Sequence, residues 1–334
     1  MTNLEVRPAE IEAGCGRRDP GVEIVGPRAV PLGGPRAMTV RRTLPSRTRS
    51  MIGPFCFADH YGPDDVAASG GMDVAPHPHT GLQTVTWLFE GHVLHQDSLG
   101  SVQEVRPGQL NLMTAGRGIA HSEEATLARF PDQQRLHGVQ LWTALPDVAR
   151  HGDPAFEHVG DLPVLDVDGA RVQVFMGALA GDLAWARSTA TAFSPLVAAQ
   201  VDVPAGATVR LPVDAAFEHG VLLDSGDLSV ADVPLPPSCL AYVPPGRDAL
   251  ELTAGERPAR AVLIGGEPFG ERLLMWWNFV GRTHEEVAEA RAQWQASLEG
   301  DQAGVARFGT VPGYEGAPLP APELPNVRLR PRER

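Results

Sequence analysis

The chain predicts an all-β protein built from two successive β-barrel or sandwich domains and closed by one helix. Three observations carry this. Glycine and proline number 36 and 31 of 334 residues, which suits many short strands joined by turns better than long helices. Apolar alternation punctuated by turn signals recurs at short, even intervals from Met38 to Ile264. The length exceeds one ordinary domain, and a hydrophobic fraction of 43% gives each of two domains enough apolar side chains to bury its own core.

Residues 1–37 are rich in Gly, Pro and charge and read as an N-terminal arm with one strand, Val22–Val25, able to pair with a sheet edge elsewhere. The first domain, 38–158, opens on the alternating run Thr39–Leu44 and an apolar stretch at 52–60 that ends in the turn Tyr61-Gly62-Pro63. Strands at 84–89 and 92–95 follow, broken by Glu90-Gly91. The turns Asp97-Ser98-Leu99-Gly100 and Arg106-Pro107-Gly108 then separate strands at 102–105 and 109–113, and 136–142 is one more strand before Leu145-Pro146-Asp147. The second domain, 159–282, repeats the rhythm from 171–176 to 259–264, with Pro204-Ala205-Gly206 and Pro244-Pro245-Gly246 among its turns.

A helix is predicted over 283–300. Thr283 stands at the N-cap with Glu286 three residues on, Val287, Ala290, Trp294 and Leu298 recur at helical spacing, and Gly300 closes the run. Such a helix docks an apolar stripe. The remainder, 301–334, is proline-rich from Pro312 to Pro325 and predicts an extended tail.

A formal charge of −13 with no clustered Lys and Arg argues against direct nucleic-acid binding. No charged head followed by an apolar run opens the sequence, and no run of about eighteen apolar residues occurs, so neither a leader nor a membrane span is predicted and a cytoplasmic location is expected. Cys15, Cys56 and Cys239 lie too far apart for a zinc ribbon or a disulfide framework and read as packing residues.

The chemistry concentrates in two short runs, Pro76-His77-Pro78-His79 and Ile119-Ala120-His121-Ser122-Glu123. Each places two potential metal ligands at i, i+2, and alternate residues of a strand share a face, so each pair can aim into one cavity. Three imidazoles and one carboxylate suit a divalent first-row transition ion. Pro78, lacking an N–H, fits an edge or strand-start position between the imidazoles. His92 and His95, at i, i+3, fall on opposite faces and read as structural. His60 and His137 read as hydrogen-bonded core residues or neighbours of the site, and Glu218-His219 as a solvated loop pair. Arg117, between two glycines, either orders its turn or faces a carboxylate or phenolate at the cavity mouth. Trp276 and Trp277 read as packing.

The runs His77-Pro78-His79-Thr80-Gly81-Leu82-Gln83-Thr84-Val85-Thr86, Asp97-Ser98-Leu99-Gly100, Arg106-Pro107-Gly108 and Met113-Thr114-Ala115-Gly116-Arg117-Gly118-Ile119-Ala120-His121-Ser122-Glu123 together resemble the pirin family of the cupin superfamily. Gly53-Pro54-Phe55, Asp59-His60 and Leu136-His137-Gly138-Val139-Gln140-Leu141-Trp142 extend the match, which is dense in the first domain and loose in the second. The resemblance implies two tandem cupin, jelly-roll-like barrels. It also implies one mononuclear metal centre in the first, held by His77, His79, His121 and Glu123. Iron(II) is the first expectation for the ion, and manganese, nickel, copper or zinc fit the same ligands. The second barrel has no H-x-H pair and is expected to lack metal. Many metal-binding cupins carry Glu where this chain has Gln83, so a neutral amide there is expected to change the charge and hydrogen bonding of the site.

Function follows from the same resemblance. It implies a quercetinase-type dioxygenase that opens a flavonol ring with loss of carbon monoxide, taking a small-molecule substrate and dioxygen, with Glu123 as general base. The alternative is a metal- or redox-sensing regulatory protein that acts through a protein partner. A monomer is expected.

Overall fold

The computed structural model describes residues 18–19, 21–32 and 38–331. The expected Cys15 lies outside them. The first barrel closes a seven-stranded sheet over a four-stranded one. The large sheet runs in the order Ala155–Val159, Leu110–Thr114, Leu82–Glu90, Arg135–Ala144, Phe55–Asp65, Thr39–Leu44, Arg28–Pro31, and the small one Met72–His79, Ile119–Ala125, Val93–Asp97, Val102–Val105. Tyr61, Leu88 and Leu136 of the large sheet share a core with Met72, Val74, Val93, Val105 and Ala125 of the small one, so the two face each other.

The second barrel repeats the plan. Its eight-stranded sheet runs Arg18–Asp19, Val22–Val25, Leu240–Val243, Glu218–Ser225, Ala259–Gly266, Leu196–Val203, Ala170–Gly177, Val164–Val167, over a four-stranded sheet of Thr208–Pro212, Ala249–Ala254, Leu228–Val230 and Val233–Leu235. Val172, Val201, Val221 and Leu263 meet Val209, Leu211, Leu250 and Leu252 inside it.

The two large sheets pack against each other. Strand Leu82–Glu90 sends Val85 and Trp87 toward the second barrel and Leu88 into its own, so both faces are buried. Trp87 stacks on Phe175 at 4.5 Å between ring centroids, and its indole N–H donates to Gln200 Oε1 at 3.0 Å.

The N-terminal arm pairs with a sheet edge later in the fold, as expected: Val22–Val25 lies beside Leu240–Val243 of the second barrel, and a second strand of the arm, Arg28–Pro31, pairs with Thr39–Leu44 of the first. One terminal expectation is corrected: the segment after 300 is not simply an extended tail. Asp301 caps a second helix, Gln302–Phe308, by accepting from Gly304 N, and the chain beyond it docks: Leu319 N donates to Pro76 O at 2.8 Å and Tyr314 OH to Asp73 at 2.7 Å.

The main helix spans His284–Leu298 with Thr283 accepting from Glu286 N at 3.2 Å. Val287, Ala290 and Trp294 are buried against Leu274, Phe279 and Phe308, whereas Leu298, expected in the same stripe, is 36% exposed at the helix's last position. Trp276 and Trp277 pack against this cluster, as expected. Among the described residues, no helix is long and apolar enough to cross a membrane.

Candidate metal centre

His77 and His79 alternate along the edge strand Met72–His79, and Ile119–Ala125 lies beside it with His121 directly opposite His77. The two ligand pairs therefore sit on hydrogen-bonded neighbours of one sheet, not on facing strands. Pro78 occupies this edge strand, where a missing N–H is tolerated. Between His121 and Glu123 the ladder slips, so that Glu123 pairs with Val74 and the edge strand carries one extra residue around Ala75-Pro76. Such a bulge bends the strand and re-aims its side chains.

The three imidazoles converge. Ring centroids are 4.4 Å apart for His77 and His121, 5.0 Å for His79 and His121 and 5.1 Å for His77 and His79. One nitrogen of each lies within 4.8 Å of the others. All three side chains are buried. His77 Nδ1 donates to Ala75 O at 2.9 Å, which leaves its Nε2 as the lone pair. That Nε2, His121 Nε2, both nitrogens of His79 and Glu123 Oε2 have no hydrogen-bond partner. An unsatisfied buried polar atom costs about 1–3 kcal/mol, so so many in one place mark a site made for something else.

Burial pushes the His77 imidazolium down to about 3 and those of His79 and His121 well below the ordinary histidine range. The rings are neutral donors. The donor set therefore fits a divalent transition ion: aimed, neutral imidazole nitrogens with a buried carboxylate beside them. The Glu123 carboxylate does not join the tight group of three. Its charge, after burial, helps push the neighbouring Tyr61 phenol well above its ordinary value.

His95 corrects the sequence reading. It does fall on the face opposite His92, which is half-exposed and pairs with Glu104, but its own face is that of the site. His95 Nδ1 lies 3.3 Å from His121 Nδ1, and His95 Nε2 lies 3.1 Å from Asp97 Oδ2. Burial would raise Asp97, yet the His95 contact and the Ser101 amide outweigh it and hold the carboxyl below its ordinary value. A usable signal was present, because His95-x-Asp97 repeats the i, i+2 spacing of the two ligand pairs.

The other candidates fall elsewhere. Gln83 is saturated: its amide donates to Thr114 Oγ1 and, in the second barrel, Thr191 O, and its carbonyl accepts from Thr143 Oγ1. It is tied to the domain interface. Arg117 is half-exposed, pairs with Asp153 and lines a cavity with Arg150 and Arg307. Glu218 and His219 are not a solvated loop pair. Both are buried on a strand, with Glu218 accepting from Gly53 N at 2.8 Å and from Tyr242 OH at 3.1 Å. His60 and His137 are hydrogen-bonded core residues, whose shared partner Asp224 comes from the second barrel.

Two antiparallel barrels in tandem, with a histidine cluster on adjacent strands of the first, define a bicupin. Models of the pirin family match the chain twice, as Pirin over residues 37–143 and as the pirin C-terminal cupin domain over 198–298. The chain belongs to the pirin family.

A Pseudomonas aeruginosa protein named, provisionally, as a quercetin 2,3-dioxygenase is 46% identical over 298 residues, 89% of each chain. A pirin-like protein of Caulobacter vibrioides is 36% identical over 77% of this chain and 88% of its own. Among solved structures, a quercetin 2,3-dioxygenase from Acinetobacter baumannii superposes with a TM-score of 0.84 at 40% identity, covering 93% of this chain and 98% of that one. A bacterial pirin from Escherichia coli in complex with nickel(II) shares the fold at a TM-score of 0.55 and 18% identity, over 74% of this chain and 99% of its own.

Proposed function

We propose that the chain is a metal-dependent dioxygenase of the quercetinase type, acting on a flavonol or a related enolic or phenolic substrate. The observation that carries this is the group of unpartnered, neutral histidine nitrogens with an unpartnered carboxylate oxygen beside it. The names of the two relatives called quercetin 2,3-dioxygenase support the same reading.

His77, His79 and His121 would hold the ion, with Glu123 as a fourth ligand or a free base at its side; iron(II) is the first candidate. A divalent ion there supplies Lewis acidity that lowers the pKa of an enolic hydroxyl. Each residue has a defined task. The Ala75 carbonyl fixes one tautomer of His77, and Asp97 through His95 fixes that of His121. Glu123 Oε2 accepts the hydroxyl proton, since it is buried and has no competing donor. Trp142, edge-on to His79 at 5.1 Å and stacked on Phe57, walls the site with apolar surface.

The test is aerobic incubation of the iron-reconstituted chain with quercetin, following carbon monoxide release. Release by the wild type and none by His79→Ala is the expected result. A metal-loaded wild type that releases no carbon monoxide sinks the proposal and favours the regulatory alternative.

A further inference from the structure

His60 and His137 lie on neighbouring strands of the first barrel's large sheet, Phe55–Asp65 and Arg135–Ala144, and Asp224 lies on Glu218–Ser225 of the second barrel. Their side chains are 1%, 9% and 1% exposed. Three donor atoms meet at one point. His60 Nε2 is 2.8 Å and His137 Nε2 2.6 Å from Asp224 Oδ1, and the two Nε2 atoms are 3.2 Å apart.

As a hydrogen-bonded group, both Nε2 atoms donate to Asp224 Oδ1, and His60 Nδ1 and Asp224 Oδ2 are left without a partner. The same three converging atoms also form a metal donor set, in which the two nitrogen lone pairs and the carboxylate share one ion in place of those two protons, with Asp224 Oδ2 free to join.

We propose that His60, His137 and Asp224 form a second metal site, at the interface between the barrels, for a divalent ion of the zinc type with one coordination position open. Two neutral imidazoles and a carboxylate are an established donor set for such an ion. Donors bound at about 2.0–2.1 Å in a tetrahedron stand roughly 3.3 Å apart, so the observed separations need to open by well under 1 Å. Local backbone irregularity serves the same end. The ladder of Arg135–Ala144 slips beside His137 against both of its neighbours, Phe55–Asp65 and Leu82–Glu90, and bulges of this kind re-aim side chains. Phe89 packs edge-on against both rings, at 5.0 Å from His137 and 6.3 Å from His60, and holds their planes.

Two positive groups oppose the ion. Arg260 Nη1 is 3.8 Å from Asp224 Oδ2, and the Arg41 guanidinium also lies within electrostatic range of Asp224. The interface site is therefore weaker than the histidine centre and fills second. Because its ligands come from both barrels, an ion there ties one to the other. Nothing in this inference depends on the dioxygenase reading.

The test titrates the full chain, stripped of metal, with zinc(II) and counts bound zinc after gel filtration. Two equivalents are expected for the wild type, one for Asp224→Asn and one for His79→Ala. Uptake that Asp224→Asn leaves unchanged overturns the interface site, whatever happens at His79. Should Asp224→Asn fail to fold, anomalous scattering at the zinc edge from zinc-loaded wild-type crystals decides. A peak between His60, His137 and Asp224 supports the site, and its absence overturns it.

Discussion

His95 Nδ1 sits 3.3 Å from His121 Nδ1, and this contact sets the tautomers of both rings. With Asp97 accepting from His95 Nε2 at 3.1 Å, His95 Nδ1 is the acceptor, so His121 Nδ1 donates and His121 Nε2 is the free lone pair. His95 is thus a positioning residue. Replacing it by Gln is expected to lower metal affinity about 10–100-fold, the usual cost of losing a ligand's hydrogen-bond partner. Competition with a chelator measures this, and unchanged affinity in a folded His95→Gln variant would count against the relay.

Glu123→Gln separates base from ligand. The isosteric amide keeps volume but cannot accept a proton, so carbon monoxide release should fall by about 10²–10⁴-fold while metal content changes less. His77→Ala should lose both. Full activity in Glu123→Gln would remove the base assignment.

His219 carries a pH prediction. Burial depresses its pKa to about 4, and neither ring nitrogen has a partner. The unfolded chain, with an ordinary value of about 6.5, binds the proton first as pH falls. Stability is therefore lost from about pH 6.5 downward and the loss levels off below about pH 4. At pH 5 this amounts to about 2 kcal/mol. His219→Leu should remove that increment, so the gap between variant and wild type in urea midpoints should widen from pH 7.5 to 5. A constant gap refutes the assignment.

Leu319 anchors the C-terminal segment over the edge strand that bears His77 and His79. Its side chain is 7% exposed in a cluster with Val74, its N–H donates to Pro76 O, and its carbonyl accepts from the Trp294 indole at 2.8 Å. Leu319→Ala should cost about 2–5 kcal/mol in denaturant unfolding. An unchanged midpoint would mean that the segment contributes nothing to the fold.

Much was legible locally, because it depends on residues close in sequence. Short alternating runs between glycine and proline turns implied all-β barrels, since strand periodicity and turn chemistry are both local. Thr283, Glu286 and the spacing of Val287, Ala290 and Trp294 marked the helix for the same reason. The i, i+2 spacing of His77 with His79 and His121 with Glu123 picked out which side chains to watch.

What local pattern left open were relations between distant segments. Only strand pairing put His121 beside His77 in one sheet, slipped Glu123 out of register onto Val74, and turned His95 toward the site. Only packing of the two large sheets brought Asp224 to His60 across 164 positions, and locked Gln83 to Thr191 at the domain interface. Glu218 looked like a loop residue because its partners, Gly53 and Tyr242, lie 165 and 24 positions away. The physical reason is common to all of these. A side chain's chemistry is set by what desolvates it and what it touches, and in a two-barrel fold those neighbours arrive on strands distant in sequence, whether in the same sheet or in another.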